Sequence, residues 1–216
     1  MNIVHFKTRF ITSVLLLILF VLILSSNLFL IYSLLVLGVL SIIEFINLNQ
    51  KILKKNFLFY LTNALFILFI TFFCLIFLYF SNFLQLKIII FSLLLCCVSS
   101  DIGGYIFGNY FKGPKLTKIS PKKTISGSVG SIILSMTILP ISIFYFTNNV
   151  NYKIFIIALI TSISCQIGDL IFSYLKRKAK IKDTGNFLPG HGGILDRLDG
   201  IFLGLPTGFV SLTLIY

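Results

Sequence analysis

The sequence predicts an all-α polytopic membrane protein with about seven transmembrane helices. Hydrophobic residues make up 57% of the 216 residues and charged residues only 11%, whereas a soluble domain has about 45–50% apolar and about 25% charged residues. The mean hydropathy is +1.04. The apolar runs are continuous rather than alternating, which favours helices over the strands of a membrane barrel. These features exclude a soluble globular domain, a disordered segment and a disulfide-stabilised scaffold.

The apolar runs predict where the helices lie, because about 20 apolar residues at 1.5 Å per residue cross the hydrocarbon core. The first run resembles a signal peptide in position, but it has no small-residue cleavage site and further spans follow, so we expect a first transmembrane helix. The first and last runs are short for a full crossing. The seven predicted spans are 10–25, 28–48, 57–80, 87–107, 127–147, 152–175 and 200–216.

The distribution of basic residues predicts the orientation. With a cytoplasmic N-terminus, all but two of the 18 Lys and Arg residues lie on the cytoplasmic side, the exceptions being Lys87 and Lys153. Cytoplasmic loops carry such an excess. We therefore expect the C-terminus on the opposite side and two long cytoplasmic loops, 108–126 and 176–199. This excess, together with attraction to anionic lipids and nucleotide phosphates, explains the net charge of +12, so we expect no nucleic-acid partner.

Acidic residues are scarce, and five of the six follow residue 100. We expect a single transmembrane domain over 1–216, in which 1–97 are helices of unspecific sequence and 98–216 hold most of the acids and both long loops. Because the chain has so few acidic residues, we expect those present to have a functional role. The six are Glu44, Asp101, Asp169, Asp183, Asp196 and Asp199.

The loop 176–199 combines features that a simple connector does not need. It holds a basic cluster, a glycine-rich turn around His191, and Asp196 and Asp199 three residues apart, hence on one face of a helix that has begun. Acids and cations in one loop fit a metal–polyphosphate ligand, because carboxylates hold Mg²⁺ while cations and glycine amides hold phosphate oxygens. We expect His191 to line a place where the backbone approaches a ligand.

Two other stretches leave alternatives open. Asp169, in the sixth span, would lie just below the cytoplasmic surface, where it could pair with a lysine or hold a divalent cation. The loop 108–126 carries five lysines among Gly, Pro and hydroxyl residues. It is either an anion cradle of backbone amides leading into a helix or an ordinary positive-inside loop. It contains no Walker A pattern.

The stretch from Ser173 to Asp199 resembles the signature of the phosphatidate cytidylyltransferase family, the CDP-diacylglycerol synthases. Residues 119–124 and 168–170 also resemble family motifs, in the family's order. The resemblance covers about 98–216 and implies that these residues form the catalytic region. The matching signature positions are Ser173, Leu175, Lys176, Arg177, Lys182, Asp183, Gly185, Leu188, Pro189, His191, Gly192, Gly193, Ile194, Asp196, Arg197, Leu198 and Asp199.

The resemblance implies the reaction CTP + phosphatidate → CDP-diacylglycerol + pyrophosphate, for phospholipid biosynthesis. The substrates would be CTP and phosphatidate, and the cofactor Mg²⁺, with a second metal ion left open. Such transfers depend mainly on positioning and charge stabilisation, so no Ser/His/Asp nucleophile is required. We expect an integral protein of the bacterial inner membrane with a cytoplasmic active site, and a homodimer, which is common in the family.

The resemblance also assigns residue roles. Asp169 and Asp196 would be the metal ligands and, with Lys176 and Arg197, the catalytic residues. Asp183 and Asp199 would be outer ligands or would orient basic side chains. The substrate-binding residues would be Ser120, Lys122, Lys123, Arg177, Lys182, Asp183, His191, Gly192, Gly193 and Asp199.

Three positions depart from the family pattern. Ser126 stands where Glu is usual, Phe172 where an acid is usual, and Asn109 where Arg is common. The departures affect the expected rate or substrate preference more than the reaction class. The competing interpretations are a CTP-dependent membrane lipid kinase, a synthase with another acceptor, an inactive homologue, and a transporter, which would place more charges within the spans.

Overall fold

The computed structural model describes residues 26–117, 119–185, 187 and 192–215. Within these ranges the regular structure is helical, apart from an isolated antiparallel β-bridge between Lys115 and Thr124. The helices are α1 (Asn27–Ile52), α2 (Phe57–Ser81), α3 (Leu84–Phe111), α4 (Ile125–Thr147), α5 (Lys153–Lys178), α6 (Leu195–Leu198) and α7 (Ile201–Ile215).

Six stretches of the described chain are long and apolar enough to cross a membrane: α1 to α5, and Leu195–Ile215, which contains α6 and α7. They confirm the all-α membrane fold and six of the predicted spans, while the predicted span 10–25 lies outside the described residues. Helices α3 and α5 extend to Phe111 and Lys178, so both long loops are shorter than predicted. Hydropathy marks the apolar part of a helix, whereas backbone hydrogen bonding continues into the polar residues at its end.

The chain forms two compact units. The first comprises the residues up to Asn82 together with Leu175–Arg197. The second comprises Phe83–Tyr174 together with the residues from Leu198 onward. The single transmembrane domain expected from the sequence stays a prediction.

In the first unit, α1 and α2 form an antiparallel hairpin. The rings of Phe45 and Phe66 stack with centroids 3.8 Å apart, and Asn49 Nδ2 donates to Asn63 Oδ1 at 2.9 Å. Large apolar side chains point outward along α2, with Leu68 64% exposed. A helix that is apolar all round needs an apolar surrounding, so the outward faces of this hairpin suit lipid.

In the second unit, small residues bring the helices close together. A Cβ added to Gly103 of α3 would lie 2.5 Å from the carbonyl oxygen of Gly130 in α4, and one added to Gly204 of α7 would lie 2.9 Å from Cys97 Sγ. Ser131 Oγ donates to the carbonyl of Ser100 at 2.6 Å. Glycine contacts and interhelical hydrogen bonds of this kind hold membrane helices together without a hydrophobic driving force.

Candidate active site

The Asp196 carboxylate lies in the first turn of α6 and is held by three donors of the first unit. Its Oδ1 accepts from Lys176 Nζ at 2.7 Å. Its Oδ2 accepts from the backbone N–H groups of Thr184 at 2.8 Å and Gly193 at 3.1 Å. The Asp196 and Lys176 side chains are only 9% and 12% exposed. The described part of residues 176–197, called the signature loop below, therefore surrounds this carboxylate, and one carboxylate oxygen faces the Lys176 ammonium group.

Gly192 makes this arrangement sterically feasible. Its φ of +85° lies in the left-handed region, and a Cβ added there would stand 3.2 Å from Asp196 Oδ2. A side chain would strain the backbone at this φ. The turn at Gly192 directs the Gly193 N–H toward Asp196, so this N–H donates to the Asp196 carboxylate. The predicted contacts of both glycines with substrate stay predictions.

Glu44 of α1 is a residue of this region to which the sequence analysis assigned no role. Its side chain is buried, and its carboxylate accepts from Thr184 Oγ1 at 2.7 Å. It also accepts from the backbone N–H groups of Ile194 at 3.0 Å and Leu195 at 2.9 Å. The only signal in the sequence was a lone carboxylate within an apolar span, where acids are costly and usually functional.

The other predicted residues of this loop lie at its surface. The exposed ones are Arg177, Lys182, Asp183 and Arg197. Exposed cations beside the partly buried Lys176–Asp196 pair give the first unit a basic rim, which suits phosphate oxygens. His191 lies outside the described residues.

In the second unit, Lys123 Nζ forms an ion pair with Asp169 Oδ2, and both side chains are partly exposed. Ser173, one turn later in α5, donates through its hydroxyl to Asp169 Oδ1 at 3.3 Å. The structure thus contains the lysine pair that the sequence left as one alternative for Asp169. The other alternative, a divalent cation, stays a prediction.

The loop 112–124 positions Lys123 through backbone hydrogen bonds. Lys123 N–H donates to the carbonyl of Ser120 at 3.0 Å, and the Lys123 carbonyl accepts from Leu116 N–H at 2.8 Å. Lys122 is exposed. The hairpin-like turn therefore presents adjacent lysines at fixed backbone positions. The anion cradle of backbone amides, one of the two alternatives for this loop, stays a prediction.

The departures from the family pattern have local roles here. Ser126 Oγ accepts from Gly113 N–H at 3.2 Å and closes the base of the loop, next to Thr124, which caps α4 by accepting from Gly127 N–H at 3.1 Å. Phe172 packs against Phe202 with ring centroids 6.4 Å apart. Asn109 is exposed.

Asp199 is the least exposed of the predicted substrate-binding residues in the second unit. It is 8% exposed, and its Oδ1 accepts from the backbone N–H of Gly200 at 2.9 Å. This burial favours the predicted orienting role over a direct contact with a soluble substrate.

The carboxylates of the two units differ from a metal site made of protein ligands alone. Among the described residues, no group of three or more His, Cys, Asp or Glu side chains could hold a metal ion. Mg²⁺, however, is usually bound by one or two carboxylates plus phosphates and waters. Asp169 and Asp196 each direct an oxygen at a lysine ammonium, so positive charge already suits both positions. Each aspartate by itself would suit a metal whose remaining ligands come from a phosphate substrate, and the magnesium ion stays a prediction.

Comparison with known proteins gives a match over nearly the whole chain. The profile of the family described as "Cytidylyltransferase family" matches residues 2–215.

Individual relatives match a shorter region. A phosphatidate cytidylyltransferase of Rickettsia felis is 46% identical over 121 residues, which are 51% of this chain and 52% of that protein. The protein of the same name from Staphylococcus haemolyticus is 36% identical over 167 residues, 76% of this chain and 64% of the relative. That from Mycobacterium leprae is 36% identical over 127 residues, 58% of this chain and 40% of the relative. The chain thus spans roughly half the length of the relatives that it matches.

Proposed function

Since the chain belongs to the cytidylyltransferase family, we propose that it transfers the cytidylyl group of CTP to phosphatidate, releasing pyrophosphate and forming CDP-diacylglycerol. Three relatives with 36–46% identity carry the name phosphatidate cytidylyltransferase. The six membrane-length stretches of the described chain suit an acceptor that lies in the bilayer.

The observation that carries the proposal is the chemistry of the two lysine–aspartate pairs. Lys176–Asp196 lies on the signature loop, and Lys123–Asp169 joins the two upstream motifs. Phosphoryl-type transfer needs little covalent chemistry from the protein and depends on placing charge around phosphates. Carboxylates and ammonium groups held next to each other supply both signs of charge that a metal–triphosphate requires.

In the proposed reaction, a phosphatidate oxygen attacks the α-phosphorus of CTP, and the bond from that phosphorus to the bridging oxygen breaks. Pyrophosphate leaves with the bonding electron pair. Lys176 and Arg197 would neutralise the transferring and leaving phosphates, while Lys123 would contact phosphate from the other loop. The exposed Lys122, Arg177 and Lys182 would attract CTP to the site, and Ser120 would complete it.

Asp169 and Asp196 are the residues that would hold Mg²⁺. When bound, the metal would stabilise charge on the phosphate oxygens of CTP. The part of these aspartates is to present carboxylate oxygens, while Thr184 and Gly193 hold the Asp196 carboxylate in place through their backbone N–H groups.

The proposal places both basic loops at the cytoplasmic face, where CTP is available. The excess of basic residues in the loops 53–56, 112–124 and 179–194 and in the adjoining helix ends supports this orientation. Residence in the bacterial inner membrane and assembly as a homodimer belong to the same proposal. Neither requires a nucleic-acid partner.

The proposal is tested by incubating the detergent-purified protein with CTP labelled at both the α- and the γ-phosphorus, Mg²⁺ and either phosphatidate or a polyprenol. We expect lipid-extractable label only with phosphatidate, and its loss when EDTA removes the metal. Label in the polyprenol instead would replace the proposal by a lipid kinase. No label from folded protein with either acceptor would contradict it.

A further inference from the structure

Glu44 lies far from the signature loop in sequence, yet its buried carboxylate accepts hydrogen bonds from this loop. Its side chain is 1% exposed. Three donors from the loop reach it: the Thr184 hydroxyl and the backbone N–H groups of Ile194 and Leu195. A carboxylate without such donors would be costly to bury. The contacts therefore form a specific anchor between α1 and the loop within the first unit.

The donors are divided between two carboxylates. Asp196 receives the N–H of Gly193, and Glu44 receives the next two amides along the chain, those of Ile194 and Leu195. Thr184 divides its groups likewise, giving its N–H to Asp196 and its hydroxyl to Glu44. Any shift of the loop relative to Glu44 would therefore also move the donors that hold Asp196.

The loop backbone packs closely against the Glu44 carboxylate. A Cβ added to Gly185 or Gly193 would collide with the Glu44 carboxylate, and at Gly193 it would also collide with the Thr184 hydroxyl. Gly193 is itself buried. With both oxygens engaged by loop donors, the Glu44 side chain is not placed to contact a substrate.

We propose that Glu44 is a positioning residue, whose carboxylate fixes the signature loop from α1 so that Asp196 and Lys176 are held in reactive geometry. The positioning role rests on the proposed function, whereas the anchoring of the loop does not. If Glu44 were only a buried polar group, its carboxylate would need hydrogen-bond partners and nothing more. If it is a positioning residue, its loss must also disturb the geometry of Asp196.

The test compares Glu44→Gln with two variants in α1, all in the full chain. Gln has nearly the same shape but replaces one acceptor oxygen by an NH₂ group, which would face an N–H donor. Ser41→Ala is the matched control, because Ser41 is buried one turn earlier and its hydroxyl has no hydrogen-bond partner in the described part of the chain. Asn49→Leu is the stability control, because it removes hydrogen bonds to α2 rather than to the loop.

The first readout is hydrogen–deuterium exchange of the peptide that contains Ile194 and Leu195. We expect about tenfold faster exchange in Glu44→Gln, with no change in Ser41→Ala or Asn49→Leu. Unchanged exchange in Glu44→Gln would overturn the anchor. This readout needs no activity, so it decides the anchor even if the protein makes no CDP-diacylglycerol.

The second readout is kcat compared with thermal stability. For Glu44→Gln we expect kcat to fall by about tenfold or more, as for other residues that orient a reactive group, while Asn49→Leu loses stability but keeps kcat within about twofold. Equal kcat in Glu44→Gln and wild type, despite faster exchange, would overturn the positioning role. If Asn49→Leu lowers kcat as much as Glu44→Gln does, any destabilisation of α1 is enough to lower kcat. Glu44 would then be a structural residue and not a positioning residue.

Discussion

At the scale of single residues, each of the two units contains one lysine–aspartate pair, and the two pairs differ in burial. The side chains of Lys176 and Asp196 are 12% and 9% exposed, whereas those of Lys123 and Asp169 are 25% and 31% exposed. Burial strengthens an ion pair but makes its disruption more costly, because one charge is left without its partner. The two pairs should therefore respond differently to the same substitution.

We expect Lys176→Met to lower the thermal stability of the purified protein more than Lys123→Met does. Losing one partner of a fully buried pair costs about 3–5 kcal/mol, whereas an exposed pair contributes about 0–1 kcal/mol. The two pairs lie between these limits, and the Lys176–Asp196 pair lies closer to the buried one. Thermal denaturation in detergent measures both variants under the same conditions. Equal stability losses would mean that the Asp196 carboxylate is better solvated than its burial indicates.

We expect Asp196→Asn to abolish turnover while the protein still inserts into the membrane. The amide would weaken metal binding and place an NH₂ group against either Lys176 or the backbone donors, so kcat/KM should fall by about 100-fold or more. The measurement is the labelled-CTP assay, with Thr137→Ala, an exposed hydroxyl that donates to its own helix, as the control. Activity retained by the purified, monodisperse Asp196→Asn variant would contradict the metal role.

At the scale of elements, the second unit depends on the close approach of α3 and α4. A Cβ added to Gly103 of α3 would lie 2.5 Å from the carbonyl oxygen of Gly130 in α4, and one added to Gly127 of α4 would lie 2.8 Å from the carbonyl oxygen of Gly104 in α3. The loop 112–124 connects these helices and carries Lys123. The separation of the two helices therefore sets the geometry at the base of that loop.

We expect Gly103→Ala to destabilise the protein by about 1–3 kcal/mol, the range for overpacking a filled interior. The added Cβ would meet the backbone of Gly130, which cannot rotate away as a side chain can. Thermal denaturation provides the measurement, and Val129→Ala, at an exposed position of α4, provides the control. A Gly103→Ala variant as stable as wild type would show that α3 and α4 separate more easily than this packing implies.

At the scale of the whole molecule, the predicted orientation in the membrane rests on the distribution of basic residues and not on helix packing. We expect an impermeant maleimide to label Asn149→Cys in intact cells freed of their outer membrane, and to label Lys54→Cys only after lysis. Both positions are exposed in short loops, and they lie on opposite sides of the predicted membrane. The parent protein, with its four free cysteines, gives the background. The reverse labelling pattern would invert the topology and place the basic loops outside.

The sequence predicted the helices well because a membrane span needs only length and apolar composition. The candidate residues could be named because the signature is dense in Gly, acid and base. The contacts were less accessible: Lys123 and Asp169 lie far apart in the chain, and Glu44 binds mainly backbone N–H groups, which no residue type reveals. A sequence therefore shows which side chains are available for chemistry. Hydrogen bonds from backbone N–H groups to a carboxylate can be identified only from the structure.

The central claim, cytidylyl transfer to phosphatidate, is tested most directly by supplying CTP labelled at either the α- or the γ-phosphorus. Cytidylyl transfer breaks the bond between the α-phosphorus and the leaving pyrophosphate, so the α label should enter the lipid and the γ label should appear in pyrophosphate. Entry of the γ label into the lipid would show phosphoryl transfer by a kinase and would contradict the account.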